Sequence, residues 1–173
     1  FIHPVANRDL LAGHGTIALE IHEDMPDVET VYVPIGGGGL ISGIANALKE
    51  LAPSVRIVGV QPEGCTPVIA GLAAGEPVDV EVNTICDGVA VSFMFPEMYP
   101  LLRDLVDDIV TVSDDDVIQA IRRLALRNKL VAEGAGALAT AAASKIGGGR
   151  SIAIVSGGSI DPAKLAEIIT AED

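Results

Sequence analysis

The fold of this chain is decided by the stretch Thr30-Val31-Tyr32-Val33-Pro34-Ile35-Gly36-Gly37-Gly38-Gly39-Leu40-Ile41, which combines a strand signal, a turn without side chains and a helix start. Glycine has no Cβ, so it adopts positive φ and lets a ligand approach the backbone while several N–H groups converge on one anion. The helix that follows adds unpaired N–H groups and the positive end of its dipole. The stretch therefore predicts a phosphate-binding turn.

The composition indicates one α/β domain that spans residues 1–173. Hydrophobic residues make up 49% of the 173 residues, with two tyrosines, three phenylalanines and no tryptophan. A core built from Ala, Val, Ile and Leu is typical of helices packed on a buried parallel sheet. The net charge of −13 argues against nucleic acid and anionic membranes as partners.

Two further compositional features bear on where the protein works. Cys65 and Cys86 form no CxxC pair, which favours a reduced, cytoplasmic setting. No apolar run approaches the ~18 residues of a membrane span.

Short β-branched runs alternate with longer segments rich in Ala and Leu, which predicts a mainly parallel sheet with helices on both faces. Between Gly71 and Phe95 the periodicity weakens, so we expect loops there. The predicted strands are Val31 to Ile35, Arg56 to Gln61, Asp108 to Val112 and Ser151 to Val155. The predicted helices are Gly15 to His22, Gly39 to Lys49, Thr66 to Ala73, Asp114 to Arg127, Gly136 to Lys145 and Pro162 to Thr170.

A second candidate site follows the last predicted strand, where the sequence reads Ser156-Gly157-Gly158-Ser159-Ile160-Asp161-Pro162. Ligands of parallel sheets gather at the carboxyl ends of strands, and the four glycines occupy the same edge. The structural interpretation is that Asp161 caps the final helix with Pro162 at its first position. The two interpretations are compatible, since a cap at Asp161 leaves Ser156 available.

Three other glycine-rich segments each have a structural interpretation besides a ligand-binding one. Gly13-His14-Gly15-Thr16 is interpreted as a turn that opens the first helix, with Thr16 as a possible cap. Glu133 precedes small residues at another helix entry, where it either points into a cleft or favours the helix N-terminus. Gly147-Gly148-Gly149 follows a helix, which is the order of a C-cap and connector.

Two familiar phosphate motifs do not fit. A Walker motif needs Lys and then Ser or Thr after its last glycine, and this chain has Leu40 and Ile41 there. The dinucleotide pattern GxGxxG also fails, because Gly36 and Gly38 are followed by Ile41, and Gly37 and Gly39 by Ser42, where the last glycine is required. Gln61 and Glu63 nevertheless follow the glycines at about the sequence distance where a ribose-binding acid lies. An NAD(P)-binding domain therefore stays open as an alternative at this point.

Together these segments resemble the serine/threonine dehydratases of the fold type II family of pyridoxal-phosphate enzymes, which also includes serine racemase. The resemblance covers essentially the whole chain and implies a three-layer, tryptophan-synthase-β-like large domain. It is carried by Phe1-Ile2-His3-Pro4, Ala12-Gly13-His14-Gly15-Thr16-Ile17-Ala18-Leu19-Glu20-Ile21, Pro34-Ile35-Gly36-Gly37-Gly38-Gly39-Leu40, Cys86-Asp87-Gly88-Val89, Glu133-Gly134-Ala135-Gly136-Ala137 and Ser156-Gly157-Gly158-Ser159-Ile160-Asp161.

The resemblance implies a cofactor, its site and a reaction. Pyridoxal 5'-phosphate would be bound with its phosphate on the glycine loop and its pyridine nitrogen at Ser156. The reaction would be deamination of L-threonine or L-serine to a 2-oxo acid and ammonia, in a homodimeric enzyme. The implied cofactor-binding residues are Gly36, Gly37, Gly38, Gly39, Leu40, Gly88, Glu133, Ser156 and Gly157.

The chain departs from the family pattern at three places. His14 replaces the usual glutamine, and Gln61 and Pro67 stand where some members hold a divalent cation, so we expect no metal site. The lysine that forms the family's Schiff base lies in a Ser-Phe-Lys segment that this sequence lacks. We therefore expect the chain to be the C-terminal half of such an enzyme, inactive by itself, without the N-terminal half and its small domain. The alternatives are a serine racemase, the NAD(P)-binding domain and a non-catalytic remnant.

Overall fold

The computed structural model of the chain describes residue 3, residues 5–147 and residues 149–171. Its centre is a sheet of four strands: β1 (Thr30–Pro34), β2 (Arg56–Pro62), β3 (Asp108–Val112) and β4 (Ser151–Ala153). The strand order is β3-β2-β1-β4, and every neighbouring pair is parallel. Tyr32 is in register with Val58 on one side and Ala153 on the other. The predicted parallel sheet is confirmed.

Helices cover both faces of the sheet, as the alternating pattern predicts. In chain order they are α1 (Arg8–Asp24), α2 (Gly39–Leu51), α3 (Pro67–Ala74), α4 (Tyr99–Leu105), α5 (Asp114–Arg123), α6 (Gly134–Ile146) and α7 (Pro162–Thr170). A π-helical turn, Leu124–Asn128, continues α5, and a 3-10 turn, Asp87–Val89, lies in the irregular region.

The three-layer arrangement follows from the two-residue period of the strands. Val31, Val33 and Ile57 pack into one core with residues of α1 to α4. Tyr32 and Val58, one residue further along each strand, pack into the other core with residues of α5 to α7. The sheet is therefore buried on both faces, which confirms the predicted α/β class.

The prediction of a turn at Gly13 to Thr16 was wrong, because α1 begins earlier and runs through it. Asn7 caps α1 by accepting hydrogen bonds from the N–H groups of Asp9 and Leu10. Thr16 donates its hydroxyl proton to Gly13 O at 2.8 Å and caps nothing. Gly15 lies against Gly43 of α2, and a Cβ on Gly43 would be 3.3 Å from Gly15 N and 2.5 Å from Leu11 O. Gly43 is therefore the glycine that permits the close packing of α1 and α2.

Other sequence-based boundaries differ by smaller amounts. β4 ends at Ala153, two residues before the predicted Val155, although Ile154 N–H still donates to Tyr32 O at 3.0 Å. Gly147 forms the predicted C-cap of α6 with φ of 64°, and Gly148 lies outside the described residues. None of the described helices has both the length and the apolar character needed to cross a membrane.

Asp107 ties three elements together at the start of β3. Its carboxylate accepts hydrogen bonds from Lys49 Nζ of α2 at 2.7 and 2.9 Å and from Ile57 N–H of β2 at 2.6 Å. Burial by itself would raise the pKa of Asp107, but these hydrogen bonds outweigh it and hold the pKa below its ordinary value. The ionised carboxylate is therefore the form that the native state favours.

We expect Asp107→Asn to lower the free energy of unfolding at pH 7 by about 1–2 kcal/mol, since charge-assisted hydrogen bonds are lost. Because the native pKa lies below the unfolded value of about 3.9, the contribution is complete above that value and is lost as the pH falls through the native pKa. Urea unfolding of the parent chain and of Asp107→Asn between pH 7 and pH 3 measures this contribution. Asp104→Asn is the control, because Asp104 pairs only with its exposed neighbour Arg103 among the described residues. If Asp107→Asn lowered the free energy of unfolding equally at pH 7 and pH 3, the ionised Asp107 carboxylate would not be the source of the stabilisation.

Candidate cofactor site

The glycine loop, Gly36 to Gly39, connects β1 to α2 and adopts a backbone that requires glycine. Gly38 has φ of 91°, in the left-handed region, and is the N-cap of α2. It has no side chain that could satisfy the first N–H groups of the helix, and no other side chain caps them within the described residues. The predicted loop, with its helix behind it, is present.

The N–H groups of residues 36–41 have no hydrogen-bond acceptor among the described residues. Within the part of the chain that the structure describes, none of them donates a hydrogen bond, whereas Ile35 N–H before them donates to Val60 O and Ser42 N–H after them donates to Gly38 O. Six consecutive N–H groups at the positive end of a 13-residue helix form an anion-binding surface. The loop therefore fits the phosphate of a cofactor.

The loop is also tightly packed on one side, which the sequence did not reveal. A Cβ on Gly37 would lie 2.6 Å from Val5 Cγ2 and 3.0 Å from Phe95 Cε2. A Cβ on Gly39 would lie 3.3 Å from Val5 O. Glycine is needed here both for the positive φ of Gly38 and for these contacts.

Ser156 lies beside the glycine loop because β4 and β1 are parallel neighbours. The ladder pairs Tyr32 with Ala153, so the segments after both strands emerge at the same edge of the sheet. Ser156 is exposed, and its hydroxyl makes no hydrogen bond within the described residues. Asp161 caps α7 by accepting from the N–H groups of Ala163 and Lys164. Both interpretations of this segment are therefore compatible with the structure.

Glu133 holds the segment that carries Ser156. Its N–H donates to Gly157 O at 3.1 Å, and its carboxylate accepts a hydrogen bond from Ser159 N–H at 3.0 Å. The carboxylate fills the space beside two glycines, since a Cβ on Gly88 would lie 3.2 Å from Glu133 Oε1 and one on Gly157 would clash with the same oxygen. Glu133 points into the site and provides no side-chain cap to α6.

The 3-10 turn that contains Gly88 closes the gap between the two strand ends. A Cβ on Gly36 would lie 3.1 Å from Val89 Cα and 3.5 Å from Gly88 O. Gly88 in turn faces Glu133, which binds the loop after β4. The structure thus brings the predicted cofactor-binding residues of four separate segments to one edge of the sheet.

A small pocket of about 100 Å³ adjoins this cluster. Gly88, Glu133, Asp161 and Lys164 line it. Cys86, next to it in sequence, is buried, and that burial raises the pKa of its thiol to about 11. The thiol therefore stays protonated near neutral pH and is no nucleophile.

The four lysines are placed as follows. Lys49 and Lys145 form ion pairs with Asp107 and Asp116, and Lys129 donates to Leu126 O. Lys164 is half-buried and lines the small pocket beside Gly88, a position that its helical sequence context did not indicate.

Gln61 is occupied structurally. Its side chain is 1% exposed and accepts a hydrogen bond from Ile69 N–H of α3 at 3.3 Å. This burial removes it as a ribose-binding group of a dinucleotide. The described residues also contain no cluster of three or more His, Cys, Asp or Glu side chains that could hold a metal ion.

Comparison with known proteins identifies the family. Residues 1–157 match the family described as pyridoxal-phosphate dependent enzyme. The chain belongs to this family. The glycine loop is thus part of a domain whose family uses pyridoxal phosphate, and the dinucleotide alternative is set aside.

The family members most similar to this chain include dehydratases and a racemase. The catabolic L-threonine dehydratase of Escherichia coli (strain K12) is 44% identical over 175 residues, which cover 97% of this chain and 53% of the dehydratase. The processed form of threonine deaminase isoform 2 from Solanum lycopersicum has a TM-score of 0.90 at 34% identity, covering 96% of this chain and 51% of that one. Maize serine racemase has a TM-score of 0.88 at 35% identity, covering 95% and 53%. The chain spans about half the length of these relatives.

The packing of Gly136 gives a test of how this site is held together. A Cβ on Gly136 would lie 2.9 Å from Gly157 N and 3.0 Å from Gly157 C, with Gly157 O closer still. We expect Gly136→Ala to lower the free energy of unfolding by about 1–3 kcal/mol, because backbone must move to admit the methyl group. Chemical denaturation measures the change.

Gly13→Ala is the matched control. Gly13 lies in α1, and a Cβ at this position would have no neighbouring atom within 4 Å, so alanine should stabilise the helix by about 0.5–1 kcal/mol. Equal stability changes in the two variants would show that the contact between Gly136 and Gly157 does not constrain the site.

Proposed function

We propose that this chain is the C-terminal part of a pyridoxal-phosphate dependent ammonia-lyase that deaminates L-threonine and L-serine. The observation that carries the proposal is that the glycine loop, whose N–H groups donate no hydrogen bond within the described residues, lies at the same sheet edge as the exposed Ser156. The 44% identity to a threonine dehydratase supports the choice of reaction.

Each part of the site has a role toward the cofactor. Gly36 to Gly39 and Leu40 would bind its phosphate through backbone N–H groups. Gly88, Ser156 and Gly157 would hold its ring, with the Ser156 hydroxyl as the partner of the pyridine nitrogen. Glu133 keeps that last segment in place through Ser159 N–H. When bound, pyridoxal phosphate supplies the electron sink that accepts the charge left at Cα when the α-proton is removed.

The residue opposite the pyridine nitrogen suits elimination. The Ser156 hydroxyl would be a neutral partner that does not force that nitrogen to stay protonated, so the cofactor would supply only moderate stabilisation of charge at Cα. Loss of the α-proton and the β-hydroxyl removes one water from the amino acid. Water then hydrolyses the enamine, which gives the 2-oxo acid and ammonia.

The catalytic lysine belongs to the other half of the enzyme. Residues 1–173 form one domain, the C-terminal part of the large domain, and an N-terminal half supplies the lysine, the loop that binds the substrate carboxylate and the small domain. The half-length coverage of the relatives supports this division. Three of the four lysines of this chain are engaged by Asp107, Leu126 O and Asp116, and none of the four is the proposed attachment site.

We further propose a homodimer in the cytoplasm. Exposed apolar side chains at Leu126, Leu130 and Val131, each at least 45% exposed, indicate a surface that another segment or subunit covers. The two buried cysteines are unpaired, which suits a reducing compartment.

A complementation assay tests the proposed reaction. The 173-residue chain is assayed alone, and then with a lysine-bearing N-terminal half, for release of 2-oxo acid from L-threonine and L-serine and for D-serine. We expect 2-oxo acid only from the combined halves, since the lysine and the cofactor cradle lie on different segments. D-serine without 2-oxo acid would favour a racemase, the activity named for the maize structure.

Borohydride reduction of the same mixtures locates the attachment site. Mass spectrometry should find the reduced cofactor on the N-terminal half and none on this chain. Lys164→Gln is the informative variant, because Lys164 lines the small pocket together with Gly88 and Glu133. A reduced adduct on this chain that disappears in Lys164→Gln would contradict the proposed division of labour.

A further inference from the structure

The glycine loop is not held in place by its own N–H groups. Within the described residues, none of the N–H groups of residues 36–41 donates a hydrogen bond. Four consecutive glycines also lose more conformational freedom on folding than any other four residues would. Another interaction must therefore keep the loop in the single arrangement that directs these N–H groups.

Three side chains that are distant from the loop in sequence pack against it. A Cβ on Gly37 would lie 2.6 Å from Val5 Cγ2 and 3.0 Å from Phe95 Cε2. A Cβ on Gly38 would lie 3.1 Å from Leu102 Cδ1, and Leu102 is buried. Because the loop has no side chains, these apolar groups contact its backbone directly. Packing thus takes the place of hydrogen bonds in fixing the loop.

Phe95 is itself held by other aromatic rings. Its ring centroid is 4.8 Å from that of Phe93 and 5.4 Å from that of His3, and the planes of Phe95 and His3 are 88° apart. These are edge-to-face arrangements, which aromatic pairs favour. The carbonyl oxygen of Phe95 accepts a hydrogen bond from Met98 N–H at 2.9 Å, just before α4 begins.

The chain that leads into Phe95 is fixed as well. Phe93 pairs with Asp79 in an isolated antiparallel bridge, and Val80 N–H donates to Ser92 O at 2.8 Å. Phe95 is half-buried and joins the core that contains residues of α1 to α4. The position of its ring is therefore set by contacts on both sides in sequence, and the ring in turn limits where the glycine loop can move.

We propose that Phe95 is a positioning residue for the cofactor phosphate. It acts through Gly37, by keeping the N–H groups of the glycine loop in the arrangement that binds the phosphate. The inference rests on the proposed function, in which pyridoxal phosphate is the ligand of this loop. A loop that is already ordered loses less conformational entropy on binding. A loop that adopts the binding arrangement only part of the time binds more weakly in proportion to that fraction.

The order of the loop can be measured without any ligand, by ¹⁵N relaxation of the 173-residue chain. In Phe95→Leu we expect the order parameters of Gly36 to Gly39 to fall from about 0.85, typical of rigid backbone, toward about 0.6. Ile118→Ala is the control. It removes a half-buried side chain from the core on the opposite face of the sheet, so the order parameters of the loop should stay as in the parent.

The second measurement compares the affinities for pyridoxal phosphate and pyridoxal by calorimetric titration. If the loop of Phe95→Leu adopts the binding arrangement about a tenth of the time, pyridoxal phosphate binds about tenfold more weakly. The affinity for pyridoxal should stay the same, because pyridoxal lacks the group that the loop binds. Ile118→Ala should change neither affinity.

Unchanged order parameters in Phe95→Leu would overturn the role of Phe95 and leave the cofactor site in place. Equal losses of affinity for the two ligands, or the same losses in Ile118→Ala, would show a general loss of structure and no positioning role. If the parent bound pyridoxal phosphate no more tightly than pyridoxal, the proposed phosphate site itself would fail. Val5→Ala repeats both measurements if Phe95→Leu does not fold, since it removes the methyl group nearest to Gly37 from a segment that precedes α1.

Discussion

The parallel pairing of β1 with β4 is the constraint on which the site depends. It places the segments after the two strands side by side, so that the glycine loop and Ser156 share one edge although Ser156 lies 116 positions after Leu40 in the sequence. The helices on both faces bury the sheet and keep this register. Glu133 then joins the two sides, since it binds the loop after β4 and faces Gly88, which contacts Gly36. The proposed cofactor site is therefore a consequence of strand order.

Glycine serves two physical purposes in this chain. At Gly38 it supplies a positive φ that turns the backbone from β1 into α2 and leaves the N–H groups of the loop without hydrogen-bond acceptors among the described residues. At Gly136 it lets α6 approach the backbone of Gly157, and at Gly43 it lets α2 approach α1. The loop at Gly36 to Gly39 does both, because Val5 and Phe95 pack against Gly37. A packing role and a binding role are therefore compatible at the same residues.

Features set by local sequence could be predicted, and features set by tertiary contact could not. The α5 start is local, since Ser113 and Asp116 form a capping box within one turn. The glycine loop is likewise readable from the strand and helix that flank it. The extent of α1 was misjudged, because Gly13 and Gly15 look like turn residues when the packing of Gly15 against Gly43 is unknown. The partners of Glu133, the position of Lys164 and the contact of Phe95 with the loop depend on distant segments, and no local pattern signals them.

The most direct test of the account follows the backbone amides of residues 36–41 by ¹H–¹⁵N correlation spectroscopy while the chain is titrated with pyridoxal phosphate. Pyridoxal, which lacks the phosphate, is the control ligand. If the N–H groups of the glycine loop, which donate no hydrogen bond within the described residues, bind the cofactor phosphate, the chemical shifts of these amides change with pyridoxal phosphate and stay unchanged with pyridoxal. Equal shifts with both ligands, or shifts confined to other residues, would contradict the central claim that this loop is the phosphate site.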